Sequence, residues 1–274
     1  MECSWLNLGA CVVEYLFDFI LSIVNAPLKP FLFLIKEYLT QPVRIDMFIG
    51  IWGVIIYMLS LFYGIFILIA GFKFLVSGYS VEQRESAKQW LTNILLMIIL
   101  VQASYFLYSL SIELISSLTA AVYNMIPVDF FSLTFGSFAN VGIELALIIP
   151  YLAVIVTTMI LLSIRYILVS AGVILFPIGI FFYFIPFLQP YGKLILNTLF
   201  TLISLPFFYS VIFLTCSKLL DIGAFADYQI LVSMGAFCLV IFGTAVLLLF
   251  VLIKSALKIA SVVSSVSKVV AIAG

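Results

Sequence analysis

The side chains able to do chemistry are few, and their spacing says where they sit. Glu113, Glu144 and Arg165 stand out among the few charged residues that fall inside or near the ends of long apolar runs. A charge in such a run is a functional suspect by default. Counted along helices at about 1.5 Å per residue, both acids come out near one membrane interface. Arg165 comes out near the other, where its long stem can snorkel to water.

The chemistry open to these groups is narrow. The 274 residues include no His, so the usual metal ligand and neutral-pH proton carrier is missing. Cys3, Cys11, Cys216 and Cys238 form no CxxC pair, which argues against zinc and dithiol exchange. Cys3 and Cys11 either bridge on an oxidising side or pack as small apolar groups. No GxxxxGK loop is present. The expectation is a protein without a catalytic centre, cofactor or resident metal, whose energy source is a partner. No acid sits near the middle of an apolar run, which weakens a proton-coupled carrier.

Uncharged polar residues are better organised. Gln102, Tyr105, Ser109, Glu113 and Ser116 recur at spacings of three and four, so one helix face carries them. Asn197, Thr201 and Ser204 do the same. Such faces either line a hydrated path or hydrogen-bond neighbouring helices.

The elements that must position these residues follow from composition. The chain is 66% hydrophobic and 9% charged, with a mean hydropathy of +1.36. Soluble domains carry about 25% charged residues. So few charges cannot cover a surface in water, and the fold expected is all-α, a polytopic membrane helical bundle. Crossing the hydrocarbon takes about 20 apolar residues. Five runs qualify: 47–72, 90–119, 141–187, 194–219 and 228–253.

The third run is too long for one ordinary crossing, at about 69 Å for residues 142–187 as a straight helix. It also holds Gly172, Pro177, Gly179 and Pro186, with Lys193 just beyond. The reading is one crossing plus a broken or re-entrant piece, with the break around residues 170–172 and Pro177. Irregular backbone at membrane depth persists only when protein or a water-filled cavity shelters it. Packing by neighbours, as a simple proline kink, is the other account.

Three regions result. Residues 1–46 read as amphipathic interfacial helices on the outer side, punctuated by Pro27, Pro30 and Pro42, with Glu14 and Asp18 on one face. The start carries acids where a signal peptide would be basic, so no cleavage is expected. Residues 47–253 are the transmembrane bundle. Residues 254–274 form a basic amphipathic tail with Lys254, Lys258 and Lys268, an anchor to anionic headgroups or a dock for a cytoplasmic motor. Basic residues mark cytoplasmic loops. The segment with Lys73, Arg84 and Lys88, and also Lys193 and the tail, should face the cytoplasm. Residues 121–140 and 221–227 carry acids and no base and should lie outside, as should the N-terminus.

Three passages carry a family likeness: GFKFLVSGYSVEQRESAKQWLTNILL (71–96), SIRYILVSAGVILFPIGIFFYFIPFLQPYGKLILNTL (163–199) and NAPLKPFLFLIKEYLTQPV (25–43). The arrangement resembles the TrbL-like polytopic inner-membrane subunit of type IV secretion and conjugation machines. Within that family it is most similar to the archaeal membrane proteins of crenarchaeal Ced DNA import. Arg165, Pro177, Pro186 and Lys193 match the family's basic and proline positions, while the Trp that often follows the basic residue of the turn is absent. The resemblance implies a channel subunit for DNA transfer, assembled in several copies with pilin or small transmembrane partner subunits and a cytoplasmic ATPase. It implies a junction or hydrated path at the broken segment. Sparse basic residues predict weak intrinsic affinity for DNA, since phosphate contacts supply most non-specific binding. A small-solute secondary transporter or permease, and a structural scaffold of a pilus or secretion complex, are the alternatives.

Overall fold

A computed structural model describes residues 28–79, 81–131, 141–222 and 228–247, together with single positions at 19, 22, 26, 225, 249, 250 and 253. The described residues form seven helices and no strand. They are α1 (28–40), α2 (Ile49–Val76), α3 (Val81–Gln102), α4 (Ser104–Tyr123), α5 (Val141–Phe184), α6 (Gln189–Leu219) and α7 (Gln229–Leu247). Five helical stretches are long and apolar enough to cross a membrane: Asp46–Val76, Ser104–Tyr123, Leu147–Phe184, Gln189–Leu219 and Gln229–Leu247. The all-α polytopic architecture is therefore as expected. Helices suit this solvent because they pair their own backbone groups where lipid offers no partners.

Two details of the second and third runs are corrected. Residues 90–119 are not one helix: Ala103 separates α3 from α4. The interruption is slight, since Ala103 N–H still donates to Ile99 O and Leu107 N–H to Ala103 O. In the third run α5 passes through residues 170–172 and Pro177 without stopping. One lost donor does not end a helix whose remaining groups have no better partner in an apolar setting. The chain turns instead at residues 185–188, just before Lys193. Leu188 N–H donates to Ile185 O at 3.0 Å, and Pro186 occupies the second position of that turn, where its fixed φ fits. Pro190 then falls in the first turn of α6, where a missing N–H costs nothing.

The chain divides into two compact units. The first contains the described residues of Met1–Gln41, Ser116–Ile164 and Pro206–Val246. Its centre is aromatic: the Phe131 ring meets Phe213 and Phe237 edge-on or tilted, and Phe213 meets Phe237 at 5.0 Å. Tyr151 donates to Phe131 O at 2.9 Å. The described part of α1 buries one stripe, Leu28, Ile35 and Leu39. Ser116 donates to Thr40 O at 2.6 Å, satisfying a carbonyl that the end of α1 leaves open. Residues 1–18, 132–140 and 254–274 lie outside the described residues, and with them the readings made of Cys3, Cys11, Glu14, Asp18 and the basic tail.

The second unit contains the described residues of Pro42–Ile115, Arg165–Leu205 and Leu247–Gly274. One apolar cluster joins Ile56, Leu59 and Tyr63 of α2 to Ile94, Met97 and Val101 of α3 and to Ile180 and Phe181 of α5. Another joins Val43 and Ile45 to Tyr108, Val169, Val173, Leu199 and Ile203.

Candidate functional site

Arg165 is the one described charged side chain that is fully enclosed, at 6% exposure. Of the two outcomes its spacing allowed, snorkelling to water or packing, the side chain packs. Its Nε donates to Leu202 O at 2.9 Å and its terminal amine to Ile203 O at 3.2 Å. A guanidinium is suited to this, because its rigid fork can address two neighbouring acceptors. Its depth is corrected. Arg44 N–H donates to the Tyr166 hydroxyl at 3.1 Å, so Arg165 lies at the Asp46 end of α2. The Lys73 end is marked by other contacts. Lys73 sits 5.4 Å above the Trp90 ring. Lys193 sits 5.8 Å above the Tyr183 ring, two residues from Phe181, which packs on Phe62 and Phe66. Lys193 therefore belongs towards the Lys73 end, as its charge suggested, and Arg165 does not.

Around Arg165 the same end of the unit is rich in polar contacts. Tyr105 donates to Asp46 Oδ1 at 2.9 Å, and Trp52 Nε1 donates to Ser104 Oγ at 3.0 Å. The Trp52 and Tyr105 rings lie 5.6 Å apart. Ser104 is fully buried at the start of α4, so the Trp52 contact braces the helix beside the Ala103 interruption. Tyr108, also fully buried, donates to Val169 O at 2.7 Å.

The glycines of the third run, and Gly192 just beyond it, serve this packing rather than a break. A Cβ on Gly172 would strike the Tyr108 hydroxyl and come 2.7 Å from Leu199 Cδ2. A Cβ on Gly192 would strike the Tyr183 backbone and come 2.7 Å from Gly179 O. A Cβ on Gly179 would press on Ile195 and Leu196. These three glycines let α5 and α6 close on each other, the use membrane bundles make of small residues. Pro177 is buried in the same packing, and Pro186 is exposed in the turn.

The two polar stripes are only partly drawn together. Gln102 ends α3 and is exposed, while Tyr105 and Ser109 on α4 are half-buried. Ser109 donates to Glu113 Oε1 at 3.0 Å, one turn away, and Glu113 is exposed. On α6, Thr201 donates to Asn197 O and Ser204 to Phe200 O, both at 2.8 Å. These hydroxyls address their own helix, a common resting place for Ser and Thr in helices. Glu144 lies in α5 near its start. Among the described residues no group of His, Cys, Asp and Glu is placed to hold a metal.

Sequence reasoning missed Tyr108, Trp52 with Ser104, and Pro206. The first two are contacts between distant segments and have no local signature. Pro206 had one: a proline inside an apolar helix marks the carbonyl four residues earlier as needing a donor. Comparison with protein-family models, with curated proteins and with solved structures finds no match.

Proposed function

We propose that this chain is an integral membrane channel subunit of a type IV secretion-like DNA transfer apparatus, serving conjugation or DNA import. The observation that carries the reading is the segment from Arg165 to Lys193. It combines an enclosed basic residue, a proline within α5, a Pro186 turn and a basic residue at the far end, in the order found in the TrbL-like family. A bundle with so few charges suits a conduit that must pass a polyanion without trapping it. In this reading the chain is a homo-oligomer in the cell membrane, with the N-terminus outside and the C-terminus in the cytoplasm. Its partners are lipids, pilin or small transmembrane subunits and a cytoplasmic motor ATPase. It is not an enzyme and draws its energy from that ATPase.

A scaffold role for a pilus or secretion complex has one observation in its favour. Thr201 and Ser204 turn to their own helix backbone, as they would where no hydrated path needs lining. Gene replacement in the source organism separates the two. Replacing Gln102, Ser109 and Asn197 together by apolar residues should leave the protein inserted and assembled but lower DNA transfer at least about ten-fold, the effect of roughly 1.4 kcal/mol on a rate. Unchanged transfer with normal assembly would favour the scaffold. Uptake of a small solute by the purified protein alone in vesicles would favour a permease.

A further inference from the structure

Pro206 stands inside α6. Its nitrogen carries no hydrogen, so the carbonyl of Leu202 loses its helical donor, and its ring crowds that carbonyl. A carbonyl left open in apolar surroundings is costly. The groups that reach this place come from a different helix: Arg165 donates to Leu202 O at 2.9 Å and to Ile203 O at 3.2 Å. We propose that Arg165 of α5 supplies the donors that Pro206 withholds, and so acts as a latch on a proline hinge in α6.

Three observations converge on this pairing. The acceptor at 2.9 Å is the carbonyl that a proline at 206 orphans. The second acceptor is its neighbour, whose own helical bond spans the proline ring. The donor is a guanidinium, which can hold both at once, whereas a lysine amine is a single point. Burial at 6% exposure makes the arrangement costly to leave half-made. The latch goes beyond the channel reading and stands apart from it, since it concerns how α6 is held and not what crosses.

A double-mutant cycle tests it, using the full chain in nanodiscs and its folded fraction under titrated denaturant. Arg165→Gln should lower the folding equilibrium at least about ten-fold where Pro206 is present, because two buried acceptors lose their donors. In a Pro206→Ala background the helix supplies its own N–H, and the same change should cost less than about three-fold. Equal costs in both backgrounds would overturn the proposal. If Arg165→Gln fails to accumulate, recovery of the double variant supports the latch, and its failure counts against it. The hinge is tested by spin labels on Asn197→Cys and Thr215→Cys, with the four native cysteines replaced by serine. Arg165→Lys should broaden their distance distribution, and Pro206→Ala should narrow it again. A distribution unchanged by Arg165→Lys would show that nothing is latched.

Discussion

Helices α2 and α6 are both long and apolar, yet they use their surroundings in opposite ways. In the most apolar stretch of α2, 17% of residues are buried, against 39% in α6. Around α2 the exposed residues are large and greasy, among them Ile51, Tyr57, Leu61, Leu68 and Phe72. Its glycines at 50, 53, 64 and 71 have nothing within 4 Å of an added Cβ. In α6 Gly192 touches backbone, Pro206 leaves a carbonyl that Arg165 serves, and Tyr209 shares a 2.6 Å hydrogen bond with Thr244. Glycine thus means two things in one chain. In α6 it is a condition of closure, and in α2 it is a position without a neighbour.

Substitutions at glycine break or sharpen this contrast. The largest effect belongs to Gly192→Val. Its side chain meets the Tyr183 backbone, which cannot swing aside as a side chain can, and a cost of about 3 kcal/mol or more is expected from overpacking against main chain. Loss of the folded peak on size exclusion in mild detergent would report it. Gly172→Ala should cost less, about 1–2 kcal/mol, because the struck atom is a tyrosine hydroxyl. Adding Tyr108→Phe should return part of that stability in a thermal melt, although Val169 O then loses a donor. The smallest change belongs to Gly64→Ala on α2, expected within about 0.5 kcal/mol of wild type. A large penalty there would mean that α2 is covered by another protein surface in the membrane, and would erase the contrast.

Much of the fold could be read from run lengths alone. Four of the five apolar runs each hold one long helix, because a chain in lipid has few other ways to pair its backbone. The second is divided at Ala103, with α4 alone long and apolar enough to cross. The bend ahead of Lys193 was legible as well, but its position was not. Pro177 and Pro186 carry the same local penalty in sequence, and only the surroundings decide which one stops a helix. Pro177 is enclosed by packed helices, whereas Pro186 sits at an exposed turn that its ring favours. Arg165 was legible as a rare charge, but counting along its helix put it at the wrong end. Distance along one helix says nothing of what another helix offers, and the acceptors lie 37 and 38 residues further on. The separation at Ala103 has neither Gly nor Pro to announce it.

The apolar part of α5, Leu147–Phe184, has 38 residues, about 57 Å of helix. Membrane helices incline by up to about 40° from the bilayer normal, in a hydrocarbon layer of about 30 Å. At that limit the segment still projects about 44 Å across the layer. Some 14 Å of oily helix therefore outruns the lipid tails unless the bilayer thickens around it. Part of that surplus is covered by the chain's own helices, since Tyr151, Ile155, Leu162, Val169 and Val173 of α5 are buried, so α5 spends its extra length on packing rather than on lipid.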